Sequence, residues 1–466
     1  MDNQPVSAQQ RRVLLSVALN VPQHVPADFF GHEIAYQRAL TTAAAACSVD
    51  AVVLVPAGTE AEIPNVVSLA GDPKGSWVVR LDEELRARAD QRVTVLIYEG
   101  DLEKLRFTSH MAALHPEVVF VVNLFSGDPE LTVPSLSERR LGRRLKRLRS
   151  SAGADGGLAC FAVSVPDNVV VYADTERRRM LASSIGLSDV STWPLYSVVE
   201  SAQRQRPSTP EGLTRVVIPV AGRQATRQVA YELSCVVDLC RRYASAGHEF
   251  DWYVFGGGYE RNWRMRVRAR RLARLRRLGV RFDPHGLSGD EYHQALAEAD
   301  VVWLPKRGTY TTTSSGKAAD TLVSGTPILA PNGSFPAQEM ERWVSGAPAY
   351  TGVREAVEVF IRAESIFPAL RQSRAECLEE VRWWYSPKRA ITEIMEASER
   401  LHGQIAQRER PQLPEDSALP PPPSVRSMIV ETRRERLRRI MGTRAAQLQA
   451  AAIEGWVRLS TLLRMR

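Results

Sequence analysis

The run from Val301 to Pro331, VVWLPKRGTYTTTSSGKAADTLVSGTPILAP, holds the residues best suited to chemistry. Its apolar start reads as a buried strand that ends at Leu304. A loop of small and hydroxyl-bearing residues follows, and Ser315-Gly316 opens a helix. At Gly316 the backbone can approach a ligand closely. The open N–H groups of the first helical turn face the end of the strand, and with the helix dipole they bind phosphate. Asp320, about one turn further in, is placed to accept hydrogen bonds from ribose hydroxyls. Gly325-Thr326-Pro327 ends the helix and starts the next strand. Taken alone, the same run is an ordinary capped helix.

Other segments supply partners for such a mouth. RVVIPVAGRQATR, Arg215 to Arg227, is a strand followed by Gly222 and by two arginines, Arg223 and Arg227, that can reach a diphosphate from the opposite wall. Phe255-Gly256-Gly257-Gly258 is a glycine-rich strand end, and Pro284 to Leu287 precedes a helix that finishes at Ala299-Asp300. In the first half, Phe30-Gly31-His32-Glu33, Glu99-Gly100-Asp101 and Asn123 lie where strands meet loops or helices, and His110 lies on the helix after Asp101. Strand ends of an open α/β sheet point into its crevice. Glu33, Glu99, Asp101 and His110 are therefore candidates for binding an acceptor or moving a proton. Singly, each is more simply a cap or a solvated surface group. Asp174 to Arg177 reads as structural.

These residues need a scaffold, and the chain supplies one. Continuous β-branched runs alternate with helical patterns: Val13 to Leu19, Ala51 to Val55, Val93 to Tyr98, Val118 to Val122 and Val169 to Tyr172. That alternation argues for a parallel sheet covered on both faces. A polar stretch at Ser201 to Thr209 interrupts it, and the alternation restarts at Arg215. The expected organisation is a doubly wound domain over 1–205, a second over 206–403 whose last helix packs back toward the first, a Pro-rich linker over 404–424 and a basic amphipathic helical tail over 425–466. At 466 residues with 44% hydrophobic and 24% charged residues, two cores can be filled. The net charge of +8 favours an anionic partner without choosing one. Five scattered cysteines lack metal-ligand spacing and complete no zinc site, and the thiols read as reduced. The polar N-terminal stretch has no signal-peptide centre, and no run reaches the ~20 apolar residues of a membrane helix. A cytoplasmic protein is expected, peripheral at the inner face of a membrane if residues 137–149 and 425–466 lie on anionic lipid. The Arg-rich segment 262–277 reads instead as a solvated outer face. Nothing accompanying the charge resembles a nucleic-acid recognition motif, so no nucleic acid is expected.

The order of these motifs resembles the nucleotide-binding half of GT-B-fold glycosyltransferases, in particular the large, mostly retaining group 1 type that includes mannosyl- and glucosyltransferases. The resemblance rests on Gly222-Arg223, Arg227, Phe255 to Gly258, Gly286-Leu287-Ser288, Leu296 to Asp300, Pro305, and Ser315-Gly316-Lys317-Ala318-Ala319-Asp320 through Gly325-Thr326-Pro327. It spans about Thr214 to Leu401 and, more faintly, the first half. It implies an α/β GT-B fold of two Rossmann-like domains facing across a cleft. It also implies transfer of a sugar from a nucleotide-diphosphate sugar, with no bound metal and no other cofactor, to a glycan or lipid-linked acceptor. The donor site would take in Gly222, Gly256, Gly257, His285, Leu287, Thr312, Thr313, Ser314, Ser315, Gly316, Lys317 and Asp320. The base would rest near Phe255 to Gly258 and His285 to Leu287. Arg223, Arg227 and the Ser315 and Gly316 amides would neutralise the leaving diphosphate. The family often carries two glutamates eight positions apart; here Thr312 and Asp320 stand in those places, which leaves the sugar open. Two other readings stay in play: a nucleotide-sugar epimerase on the same fold, and a non-catalytic GT-B scaffold.

Overall fold

A computed structural model describes residues 11–19, 32–57, 59, 63–69, 76–100, 102–124, 165–184, 187, 189–198, 210, 212–219, 227–244, 247–255, 273–283, 287–305 and 314–407. The first lobe runs β1 (Arg12–Val17), α1 (His32–Ala46), β2 (Asp50–Pro56), β3 (Val66–Leu69), α2 (Ser76–Arg86), β4 (Arg92–Gly100), α3 (Leu102–Leu114), β5 (Val119–Leu124), β6 (Val169–Ala173), α4 (Glu176–Ser184) and β7 (Val190–Thr192). Its seven strands are parallel, in the order β3-β2-β1-β4-β5-β6-β7. Helices cover both faces, so the strands can be apolar throughout. In β1, Val13, Leu15 and Val17 pack with Trp77 and Leu81 of α2 and Met111 of α3, while Leu14 turns to Tyr36 and Leu40 of α1. That alternation is the period of a strand sandwiched between helical layers.

The second lobe runs β8 (Leu213–Pro219), α5 (Arg227–Tyr243), β9 (Glu249–Phe255), β10 (Arg281–Asp283), α6 (Gly289–Glu298), β11 (Val301–Trp303), α7 (Gly316–Val323), β12 (Ile328–Pro331), α8 (Phe335–Trp343), β13 (Ala349–Tyr350), α9 (Val353–Ile361), α10 (Ala363–Trp384) and α11 (Pro387–Gln407). Its six parallel strands lie in the order β10-β9-β8-β11-β12-β13. From β8 the chain winds outward one way, and from β11 the other. The crevice of such a sheet opens where the winding reverses, beyond the carboxyl ends of β8 and β11.

After α10 the chain returns to the first lobe. There α11 packs on α1 and β5, the Thr94 and Ser398 hydroxyls lie 2.6 Å apart, and Arg12 pairs with Glu399 at 2.9 Å. The segment leaving the first lobe meets this return, with the Ser197 N–H donating to the Tyr385 carbonyl at 2.8 Å. The residues around position 205 lie outside the described residues. So do 137–149 and 408–466, which take in the tail and nearly all of the expected linker. Helix α11 reaches Gln407 and so takes in the first four residues of the expected linker. At the end of the 262–277 segment Leu275 is buried while Arg274, Arg276 and Arg277 are exposed, as a solvated outer face requires. Among the described residues no helix is long and apolar enough to cross a membrane.

Candidate site at the mouth of the second sheet

Helix α7 stands at the switch point between β8 and β11. Ser315 is its N-cap in extended conformation, with a hydroxyl that makes no capping bond. At the other end the Gly325 N–H donates to Leu322 (3.1 Å) and the Thr326 N–H to Thr321 (3.2 Å). This is a Schellman closure, and it needs a residue at positive φ; Gly325 supplies +77°. The buried Arg374 guanidinium donates to the Leu322 carbonyl, placing a cation at the negative end of the helix. Ala318, Ala319 and Leu322 are fully buried against the core, so the helix is fixed along its length.

Its N-terminal end is polar. The Lys317 ammonium donates to the Pro219 carbonyl at 3.0 Å, at the carboxyl end of β8. Burial pulls its pKa down to about 8, against the nearby Asp320 carboxylate, which raises it. The Gly316 and Lys317 amides have no partner among the described residues, as expected for an opening turn. Ser314 is buried, and its hydroxyl has no hydrogen-bond partner among the described residues. A buried polar atom without a partner calls for an explanation, and a ligand is one.

Across the cleft, the first lobe contributes Asp174, just past β6. Its carboxylate accepts from the Ser314 N–H at 2.8 Å. Asp174 therefore joins the two lobes beside the mouth, in keeping with its reading as structural. The strand-end rule that singled out Glu99 and Asn123 would have found it.

Asp320 also departs from expectation. It is fully buried, and its Oδ1 accepts from the Ser197 hydroxyl (2.7 Å) and the Val198 N–H (3.3 Å). Its Oδ2 accepts from the Tyr292 hydroxyl at 3.1 Å. Burial raises its pKa to about 6, against those three hydrogen bonds and Lys317. Both oxygens are thus engaged by protein groups, so Asp320 ties the second lobe to the segment entering it and leaves no oxygen turned to a ribose.

The remaining candidates divide. Ser314, Ser315, Gly316 and Lys317 come together at the mouth. Leu287 is half-buried, packed against the core just before Ser288, which caps α6 in a reciprocal bond with Glu291. His110 is exposed on α3, eight residues past its start and so about 12 Å from the strand end that faces the cleft. It is not brought to the mouth. Arg227 opens α5 and Glu99 lies in β4, but their side chains lie outside the described residues. Glu33 is in the same position in α1. Asp101, Gly222, Arg223, Gly256, Gly257, His285, Thr312 and Thr313 lie wholly outside them. Among the described residues no cluster of acidic, histidine or cysteine side chains could hold a metal.

No family model matches the chain, and no curated protein does. Solved structures match it in shape. It is similar to a glycosyltransferase from Rickettsia africae ESF-5 at 10% identity, covering 86% of this chain and 100% of that one, with a TM-score of 0.55. It is similar to the N-terminal domain of a trehalose-6-phosphate phosphatase from Candida albicans at 13% identity, covering 83% and 97%, with a TM-score of 0.52. The apo form of OtsA matches at 10% identity over 83% and 99%, also at 0.52. At such identities the likeness speaks for the fold. With two parallel, helix-covered sheets, a switch-point crevice in the second and a final helix returning to the first, the chain has the GT-B fold.

Proposed function

We propose that the chain is a glycosyltransferase of the group 1 type. It would move a sugar from a nucleotide-diphosphate sugar to a glycan or lipid-linked acceptor, with retention and without a metal. The observation that carries this reading is the Lys317 ammonium, held at the Pro219 carbonyl beside the opening amides of α7. Breaking a sugar–phosphate bond builds negative charge on the departing diphosphate. Donors fixed in place before that charge appears are worth on the order of 3 kcal/mol each. Lys317, the α7 amides and the Ser314 hydroxyl would meet the phosphates from one wall. Arg223 and Arg227 would meet them from the loop after β8. Thr312 and Thr313, Gly256 and Gly257, and His285 with Leu287 would complete the donor pocket, and Glu99 remains the acceptor-side acid–base candidate. Residues 137–149 and 425–466 would bring the protein to an anionic membrane surface from the cytoplasmic side.

The test is thermal stabilisation by UDP, GDP and ADP. A ligand that binds only the folded state raises its stability. At least one of the three should raise the melting temperature, and Lys317→Met should abolish that rise while keeping the fold, because it removes a poorly solvated charge. An anion against the ammonium favours its charged form, so binding should also weaken as pH rises past about 8. A full set of flat melting curves, or an unchanged shift in Lys317→Met, rejects the proposal.

A non-catalytic scaffold is the second reading. Asp174 on the Ser314 amide and the occupied oxygens of Asp320 favour it, since both spend polar groups of the mouth on joining the lobes. A scaffold would release no free nucleoside diphosphate from any donor sugar.

A further inference from the structure

Arg374 of α10 is fully buried, yet among the described residues no carboxylate pairs with it. Its guanidinium donates to the Leu322 carbonyl at the closing end of α7 and to the Cys377 sulfur at 3.6 Å. Its Nε has no hydrogen-bond partner among the described residues. A buried cation is costly unless an anion and hydrogen bonds compensate it. A carbonyl dipole and a thiol do so only in part: burial lowers the Arg374 pKa, against the Cys377 sulfur and the Tyr385 hydroxyl. A full negative charge on the sulfur side would complete the pair.

Cys377 lies about one turn further along α10 and is half-buried, so it is open in part to solvent. Its thiol has the carbonyls of Arg374, Trp343 and Ser373 at 3.5, 3.7 and 3.8 Å to donate to. The other described cysteines sit differently. Burial pushes the Cys240 thiol up to about 12. The Cys47 sulfur has the Thr392 hydroxyl at 4.0 Å, and Cys235 lies beside the exposed Tyr231 on α5. Among the described residues only Cys377 sets its sulfur against a guanidinium. Such a cation favours oxidation of the sulfur because it stabilises the negative charge that develops there.

We infer that Cys377 is an oxidation site, where a peroxide converts the thiol to a sulfenate that Arg374 holds as its counter-ion. The sulfur attacks one peroxide oxygen and the O–O bond breaks. The hydroxide released takes the thiol proton and leaves as water. Sulfur is thereby oxidised to a sulfenic acid, and the peroxide is reduced. Loss of the sulfenic proton to solvent leaves S–O⁻ beside the guanidinium. Because the same guanidinium holds the Leu322 carbonyl, it links the sulfur to the closing turn of α7. The site is independent of what the α7 mouth binds.

The experiment treats the reduced full chain with hydrogen peroxide, traps sulfenic acids with dimedone and maps the adducts by mass spectrometry. Cys377 should be labelled before Cys47, Cys235 and Cys240. Oxidised without dimedone, the protein should melt about 2 °C higher than the reduced form. Dithiothreitol should reverse that rise, and Cys377→Ser should lack it. A sulfur that merely fills space would do the opposite, since an added oxygen crowds its neighbours. A second comparison needs no oxidant. Cys377→Asp fixes a carboxylate beside Arg374 and should melt about 2 °C above Cys377→Asn, which has the same shape without the charge. Earlier labelling of another of these cysteines, an oxidised form that melts no higher than the reduced one, or a Cys377→Asp protein no more stable than Cys377→Asn would each overturn the assignment.

Discussion

Asp320 shows how far a single position can be read in advance. Its place one turn into the phosphate-facing helix is legible in the spacing from Gly316. Its partners are not, because Ser197 lies 123 residues earlier and only the folded chain brings the two together. The consequence can be measured. Burial raises the Asp320 pKa to about 6, above its ordinary value of 3.8, so the native state holds the proton more tightly than the unfolded chain. Below both values the two states bind it equally. Between them the unfolded chain loses it first, so stability falls as pH climbs from about 4 to about 6, by about 3 kcal/mol for this group. Asp320→Asn keeps an acceptor for Ser197 and should flatten that fall. Urea midpoints compared at the two ends of the window would show it, and an identical slope in the variant would refute it. Lys317 follows the same pattern: its type and position were readable, but its partner at Pro219 was not.

At the scale of elements, most strands were legible because β-branched runs leave few alternatives to a buried strand. The elements missed are of two kinds. Edge strands β3, β7 and β13 are two to four residues long, too short for any periodic pattern. The helices α8 to α10 lie beyond the motifs that marked the rest of the second lobe; α11 was expected to pack back toward the first lobe, but its partners, as when Ser398 meets Thr94 of β4, are fixed only in the folded chain. Helix α7 was legible at both ends, and its closing glycine carries a prediction. Gly325 sits at φ +77°, and the nearest atoms to an added Cβ are Leu378 methyls at 3.5 Å, an ordinary contact. The cost of Gly325→Ala is therefore backbone strain alone, about 1–2 kcal/mol. Chemical denaturation should register that loss, and a variant as stable as the parent would mean the Schellman closure does not restrain the helix.

For the whole molecule, the two-lobed plan was legible from the break at Ser201 to Thr209, but the closeness of the lobes was not. One buried cluster takes in Leu14 and Tyr36 of the first lobe, Tyr196 of the connection, and Val216, Trp303 and Ile391 beyond it. A core that crosses the boundary couples the unfolding of its parts. Calorimetry should therefore record one cooperative transition for both lobes, and two well-separated peaks would contradict a shared core.

The polypeptide passes between the lobes twice, and Ser197 and Tyr385 stitch the two passages together. Asp320 fastens the first passage to α7 as well. Two covers bound along such a spine are held to each other at one edge. Because the stitching reaches the same short helix that opens at the mouth, an anion bound there, as proposed, would act on the joint that sets the tilt of the covers.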